Sequence, residues 1–193
     1  EPYRRQRQMC IRDSHCANPN CEYKHISCAK NYYDEDTITK ARYNIIDILE
    51  EGDIINVDVS TILNGYYSDA SRMFKIGNVS ERAERIVRVT QECVERGLKA
   101  AKPWGHLGDI AYAINTHAKK NGYSVVEEIG GHGIGLEFHE EPFVSYVTPK
   151  GSEMVLVPGM MFTIEPMINE GTEEVFVDGD DDWSAVSYTH LTL

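Results

Sequence analysis

Two aspartates, Asp58 and Asp69, flank an Asn-Gly pair at a spacing that could serve metal chemistry. Asn64 and Gly65 separate two runs rich in β-formers and predict a hairpin with a two-residue turn. Counting outward from that turn places Ser60 opposite Asp69 and puts Asp58 on the same face of the hairpin. The two carboxylates are then expected to be diagonal neighbours, roughly 7 to 8 Å apart.

Paired carboxylates of this kind repel each other unless cations lie between them. Asp58 is also flanked by β-branched residues in what we expect to be a largely buried strand, where an unpaired charge is very costly. The hairpin therefore predicts either a metal site or ion pairs between each aspartate and a nearby arginine such as Arg72. The hairpin alone leaves both interpretations open.

Two histidines and a glutamate extend this candidate site. His132 lies in a glycine-rich stretch and His139 follows it, and glycines allow the close backbone approach that functional loops often need. Glu165 lies in an almost wholly apolar run before Pro166, which makes it a candidate metal ligand or general base. Carboxylates with one or two imidazoles and no cysteine suit Mn, Fe, Co or Zn better than a structural thiolate site. The remaining histidines are interpreted as incidental: His15, His25, His106, His117 and His190.

The elements that must position these side chains alternate between strands and helices, which predicts an α+β fold. A helix is predicted from an N-cap at Ser80 to about Lys102, and a second ends before Gly122 as its C′ residue. The strands are predicted at 53–63, 66–76, 123–128, 143–147 and 160–168. The expected apolar face of the first helix is Ala83, Ile86, Val87, Thr90, Val94 and Leu98, and that of the second is Leu107, Ile110, Ala111, Ile114 and Ala118.

Composition limits the classes of partner. The chain has 193 residues and a formal net charge of −12, which disfavours nucleic acid and anionic membranes. No run approaches the roughly 20 apolar residues of a membrane span, and the N-terminus has no secretory pattern. Four of the five cysteines lie in the first 28 residues without a disulfide framework, so we expect a reducing, cytoplasmic location. The four cysteines are Cys10, Cys16, Cys21 and Cys28. Their spacing, taken with His15 and His25, favours a disordered or foreign segment over a zinc site.

Several separated motifs, in the right order, resemble the methionine aminopeptidases of type I. They are INVDV at 55–59, GYYSDASRMF at 65–74, GHGIG at 131–135, FHEEP at 138–142 and FTIEPM at 162–167. The resemblance implies the pita-bread fold, a curved antiparallel sheet flanked by helices. It also implies hydrolytic removal of an N-terminal methionine from peptides and nascent chains by a hydroxide held between two divalent ions of Co, Mn, Fe or Zn.

The resemblance also implies residue roles. Asp58, Asp69, His132 and Glu165 match metal ligands, with Asp69 bridging the two ions and Glu165 shuttling the proton. His139 matches the histidine that contacts the substrate and polarises the scissile carbonyl. Phe138 and Trp183 match residues that line the methionine pocket. A cytoplasmic monomer that meets the ribosome transiently is the expected setting.

Two departures from the family pattern concern the ends of the match. Lys40-Ala41-Arg42-Tyr43 stands where the family has a substrate-contacting histidine, and a second glutamate ligand would fall beyond Leu193. The resemblance covers about 44–186, so 43–186 is expected to be an incomplete catalytic domain of low activity. Residues 1–42 are left unassigned as disordered or foreign, and 187–193 look like a foreign tail.

Two other functions remain open. A proline-specific peptidase of the same fold, an Xaa-Pro aminopeptidase or prolidase, would share the aspartate pair and the glycine-histidine loop. The Glu-Glu-Pro run after His139 and the methionine after Pro166 favour the methionine enzyme. A non-catalytic binding protein on this fold would have lost its metals, and retention of four candidate ligands argues against it.

Overall fold

The computed structural model describes residues 15–16, 49–177, 185–187 and 191–192. Most of the cysteine-rich segment, the stretch 40–43, Trp183 and His190 lie outside the described residues, so the expectations that concern them stay predictions. Within the described ranges, no helix is both long and apolar enough to cross a membrane.

The predicted hairpin is present. Strand β2 (Ile54–Leu63) pairs antiparallel with β3 (Tyr66–Lys75). The turn residues Asn64 and Gly65 have φ values of 54° and 83°, the positive angles that a tight hairpin turn requires. Ser60 is paired with Asp69 and Asp58 with Ser71, which confirms the register expected from the turn.

Burial along β2 differs from the expectation of a largely buried strand. Ile54 and Ile55 at its base are buried, whereas Val59 is 44% exposed. Among the described strands, β2 and β3 pair only with each other. The outer half of this two-stranded ribbon therefore lacks a further strand to cover it, and Asp58 is half-buried.

Helix α1 (Glu81–Ala100) begins where Ser80 predicts, because the Ser80 side chain accepts a hydrogen bond from the backbone N–H of Ala83. The predicted buried face is partly wrong, since Leu98 is 59% exposed. The contact with the second helix determines which face of α1 is buried. A Cβ on Gly97 would lie 2.9 Å from Cδ1 of Ile114, so the two helices meet at this glycine. The residues of α1 that are buried are Ala83, Ile86, Val89, Thr90, Cys93 and Gly97.

Helix α2 (Leu107–Lys120) follows the prediction closely. All five residues assigned to its apolar face are buried, and Gly122, after the C-cap Asn121, has φ +80°. His106 is the N-cap of α2, and Nε2 of His117 lies 2.7 Å from Glu92 on α1. These two histidines therefore have structural roles, one at the start of α2 and one between the two helices. The two helices contribute to the main core, where Ile110, Ile114 and Tyr146 are completely buried.

The remaining strands are short. They are β1 (His15–Cys16), β4 (Ser124–Val125), β5 (Gly131–Gly133), β6 (Glu140–Val144), β7 (Ile168–Asn169), β8 (Phe176–Val177), β9 (Ala185–Ser187) and β10 (Leu191–Thr192). The pairs β5–β6, β4–β7, β7–β10 and β8–β9 are antiparallel, and β1–β9 is parallel. Antiparallel strands with two packed helices confirm the α+β prediction.

The strand predicted at 160–168 is wrong for most of its length. Phe162 makes one isolated bridge to Gly133, and regular pairing begins only at Ile168. Pro166 has no N–H to donate, and the Glu165 N–H donates to the Tyr146 hydroxyl instead of to a neighbouring strand. At Glu165 a side-chain bond therefore takes the place of strand pairing.

Candidate metal centre

Three side chains that are distant in the sequence converge beside the hairpin. Asp69 comes from β3, His132 from β5 and Glu165 from the irregular segment before β7, and one ligand atom of each lies within 4.8 Å of the others. His132 Nε2 lies 3.4 Å from Glu165 Oε1 and 3.8 Å from Asp69 Oδ2. Both carboxylates thus face the same imidazole nitrogen.

Glycines allow His132 to reach this position. A Cβ on Gly131 would lie 2.3 Å from the Thr163 carbonyl oxygen, and one on Gly133 would lie 2.2 Å from the Glu141 carbonyl oxygen. Any larger residue would push these backbones apart. The β5–β6 pairing also shifts register between His132 and Gly133. The close approach expected of the glycine-rich stretch is therefore present.

The orientation of the His132 ring is fixed by its other nitrogen. Nδ1 lies 2.9 Å from the Gly133 carbonyl oxygen, which can only accept a hydrogen bond. Nδ1 must therefore carry the proton, and the neutral ring presents the lone pair of Nε2 to Asp69 and Glu165. This is the tautomer and the second hydrogen bond that metal-ligating histidines usually have.

Glu165 lies in a strongly desolvated environment. Burial raises the pKa of its carboxyl group to about 7, the Thr163 hydroxyl and His132 oppose that rise, and the charge of Asp69 adds to it. The Thr163 hydroxyl donates to Oε1 at 2.5 Å. A glutamate with a pKa near neutrality can both release and take up a proton, as a general acid or base must.

The pKa of His132 is also shifted. Burial favours the neutral ring, but the nearby Asp69 carboxylate, the Gly133 carbonyl group and the charge of Glu165 outweigh it, so the pKa is raised. The centre thus attracts positive charge even though its imidazole is almost fully buried. Such attraction is the electrostatic condition for holding a cation.

Asp58 lines the same cavity as Asp69 and Glu165, a space of about 970 Å³ between the hairpin, α1 and 160–165. It lies outside the group of three whose ligand atoms converge. Asp69 itself accepts a hydrogen bond from the Ser60 hydroxyl through Oδ1 at 3.2 Å, which leaves Oδ2 toward His132. The hairpin pairing thus orients one of the two aspartates.

His139 and Phe138 adjoin the centre as a pair of rings in edge-to-face contact. The His139 ring centroid lies 4.3 Å from that of His132, and the Phe138 centroid lies 4.4 Å from that of His139. His139 is buried, and Phe138 also faces Tyr67 at 5.9 Å. The two residues assigned to substrate contact therefore lie next to the converging ligands, while Trp183 lies outside the described residues.

The residues present fit a divalent cation. Nε2 of His132 is buried and, among the described residues, has no hydrogen-bond partner, although two carboxylates face it. Buried polar atoms are usually paired, so an orphaned lone pair opposite two oxygens indicates that a further group belongs there. Hard oxygen donors with one imidazole suit a divalent transition metal.

Comparison with known proteins agrees with this centre. The family model described as metallopeptidase family M24 matches residues 3–193. The chain belongs to this family. Use of divalent metal by M24 peptidases accords with the donor set of Asp69, His132 and Glu165.

Curated relatives of this M24 chain are methionine aminopeptidases. Methionine aminopeptidase A of Synechocystis is 49% identical over 72% of this chain and 55% of its own length. Methionine aminopeptidase of Rickettsia prowazekii is 41% identical over 72% of the chain and 54% of its own length. The chain thus spans about half the length of the curated relatives that it matches.

Solved structures of M24 peptidases give the fold. Methionine aminopeptidase from Rickettsia prowazekii superposes with a TM-score of 0.72 at 39% identity, over 75% of this chain and 59% of that one. Prolidase from Pyrococcus furiosus has a TM-score of 0.57 at 31% identity, over 65% of this chain and 37% of that one. The pita-bread fold expected from the sequence motifs is therefore confirmed.

Two residues at the centre escape sequence reasoning. Thr163 and Tyr146 both contact Glu165, yet in the sequence each is one member of an apolar, β-rich run. Thr163 stands two residues before Glu165, so its place on the same face was available as a signal. No comparable signal marks Tyr146, since its contact depends on how the residues after β6 pack against the irregular segment.

Proposed function

We propose that this chain carries the catalytic centre of a metal-dependent aminopeptidase that removes N-terminal methionine. Asp58, Asp69, His132 and Glu165 are the proposed ligands of two divalent cations, with Co, Mn, Fe or Zn as candidates. The convergence of Asp69, His132 and Glu165 on one point carries the metal assignment. The names of the relatives support methionine as the residue removed.

Divalent cations at this position would act as Lewis acids and lower the pKa of a water molecule toward neutrality. The residues of the chain orient the metal ligands and transfer the proton. Asp69 and His132 hold their donor atoms in fixed orientations through Ser60 and the Gly133 carbonyl group. Glu165 is proposed to take up a proton from the attacking water on its carboxylate and deliver it to the leaving amine.

His139 and Phe138 are proposed to contact the substrate. His139 would donate a hydrogen bond to the scissile carbonyl oxygen and stabilise the negative charge that develops there. Phe138, half-buried beside His139, would line the pocket for the methionine side chain together with Trp183. Peptides and nascent chains with an N-terminal methionine are the proposed substrates, met by a cytoplasmic monomer that approaches the ribosome transiently.

Substrate choice is tested with two peptides. We expect metal-loaded protein to release methionine from Met-Ala-Ser faster than it cleaves an Xaa-Pro dipeptide, and a chelator to abolish both rates. The similarity to prolidase makes proline-specific cleavage the second candidate. A higher rate on the Xaa-Pro dipeptide would overturn the methionine assignment and leave the metal centre standing.

A non-catalytic binding role is tested by thermal unfolding. An ion that binds only the folded state raises the unfolding temperature by mass action. We expect Mn²⁺ to raise the Tm of metal-stripped protein and chelation to reverse that rise. An unchanged Tm at millimolar Mn²⁺, with no methionine release, would favour a binding protein that has lost its metals.

A further inference from the structure

The Thr163 hydroxyl joins the two segments that supply His132 and Glu165. It accepts a hydrogen bond from the His132 backbone N–H at 2.9 Å and donates to Glu165 Oε1 at 2.5 Å. A hydroxyl has one proton to donate, and a carboxylate oxygen is a stronger acceptor than the His132 carbonyl oxygen, which lies 3.4 Å away. One side-chain oxygen therefore holds both proposed ligands.

The oxygen that Thr163 holds is the one that faces the imidazole. Glu165 Oε1 is the atom 3.4 Å from His132 Nε2. Rotation of the carboxylate away from His132 would break the bond to Thr163. The backbone N–H of Thr163 also donates to the His132 carbonyl oxygen at 2.8 Å, so the two residues are joined through both backbone and side chain.

Tyr146 fixes the same segments from the core side. Its ring is completely buried, and its hydroxyl oxygen accepts a hydrogen bond from the Glu165 N–H at 2.7 Å. Gly131, the residue before His132, also lies against this hydroxyl, since a Cβ on Gly131 would lie 2.5 Å from it. The Tyr146 oxygen thus contacts the backbone of both ligand-bearing segments.

We propose that Thr163 and Tyr146 are positioning residues that set the Glu165 carboxylate opposite His132 Nε2 before a metal binds. The inference rests on the proposed metal function of that site. Segment 160–167 has isolated backbone bonds in place of the regular strand pairing that would otherwise fix a ligand, so these two hydroxyls add a constraint on Glu165. Loss of outer-sphere partners of this kind commonly weakens metal affinity by about 10- to 100-fold.

The test uses four variants of the full chain. Thr163→Val removes the hydroxyl at nearly constant volume, and Thr163→Ser keeps the hydroxyl and removes the methyl group. Tyr146→Phe removes only the phenolic oxygen. Thr148→Val is the matched control, because Thr148 is a half-buried threonine whose hydroxyl has no hydrogen-bond partner among the described residues.

Titration calorimetry with Mn²⁺ on metal-stripped protein, with circular dichroism as the check on folding, gives the Kd. We expect Thr163→Val to raise the Kd by about 10- to 100-fold and Tyr146→Phe by about tenfold. Thr163→Ser and Thr148→Val should stay within about threefold of the parent chain. A folded Thr163→Val variant with the parent Kd would overturn the proposal, and so would a serine variant as weak as the valine variant.

Metal-free crystal structures separate this proposal from the proposed function. In Thr163→Val we expect the Glu165 carboxylate to leave its position 3.4 Å from His132 Nε2. If it moves while the parent chain binds no Mn²⁺, the metal function fails and the positioning role stands. If it stays, the positioning role fails whatever the metal affinity. Should Thr163→Val not fold, Tyr146→Phe and Thr163→Ser decide by the same distance and the same Kd.

Discussion

Glu165 Oε1 lies 3.4 Å from His132 Nε2, and Asp69 Oδ2 lies 3.8 Å from the same nitrogen. Because Nδ1 of His132 is engaged by the Gly133 carbonyl oxygen, the nitrogen that faces both carboxylates carries a lone pair in the neutral ring. Three donor groups that are far apart in sequence thus point at one another, with no proton between them when the carboxylates are ionised and the imidazole is neutral.

Asp69 is the ligand whose loss we expect to matter most for metal loading. Asp69→Asn keeps the shape of the side chain but removes the charge and one acceptor oxygen. We expect atomic emission to find almost no Mn in the purified variant after loading. Glu95→Gln, on the exposed face of α1, makes the same charge change away from the centre and should load normally. Normal metal content in Asp69→Asn would refute its bridging role.

His139 is expected to affect turnover more than metal binding. It lies against the His132 ring but outside the group of converging ligands. His139→Ala should lower kcat for Met-Ala-Ser on the order of a hundredfold or more, because a well-placed electrophile is lost. The metal content of the same sample is the internal control and should not change. Unchanged turnover would remove His139 from the mechanism.

The raised pKa of Glu165 gives metal-free protein a specific pH dependence. The pKa rises from 4.5 to about 7 on folding, so between these values the folded state binds more protons than the unfolded state. This group therefore makes the free energy of unfolding decrease as pH rises from 4.5 through about 7. The raised pKa of His132 acts in the same direction, since protonated imidazole stabilises the fold only at lower pH.

Urea unfolding of metal-stripped protein at pH 5.5 and pH 8 measures this dependence. Glu165→Gln removes the titrating group, so we expect the loss of stability between the two pH values to be smaller in the variant than in the parent chain. Mn²⁺ should restore most stability at pH 8, where the carboxylate is ionised. An equal loss in both proteins would contradict the assigned pKa shift.

The packing of α1 against α2 gives a stability prediction. Ile86 is buried in the main core, whereas Leu98, on the neighbouring stripe of the helix, is 59% exposed. Ile86→Ala should lower the free energy of unfolding by about 2 to 5 kcal/mol through lost burial and a cavity. Leu98→Ala should change it by no more than about 0.5 kcal/mol. Similar losses in both variants would place the core on the wrong face of α1.

Local chemistry explains which features the sequence predicts. The Asn64-Gly65 turn fixes the hairpin register, and Ser80 and Gly122 mark helix ends, because each depends on a few neighbouring residues. The buried face of α1 was partly misassigned because two stripes share helical spacing, and the approach of Ile114 at Gly97 chooses between them.

The same distinction applies within the candidate site. Residue type and family motifs predict Asp69, His132 and Glu165 as site residues, and the structure brings their ligand atoms together. Tyr146 could not be predicted in this way, because its bond to the Glu165 N–H replaces strand pairing that the sequence pattern led us to expect. Irregular backbone held by side-chain bonds depends on tertiary packing, which local patterns do not record.

The most direct test of the metal centre is a crystal soaked in Mn²⁺ and measured for anomalous scattering. We expect an anomalous peak between Asp69, His132 and Glu165, within coordination distance of Oδ2, Nε2 and a carboxylate oxygen respectively. A soaked crystal of the same protein with no anomalous peak at this point, or with manganese bound only elsewhere, would contradict the account.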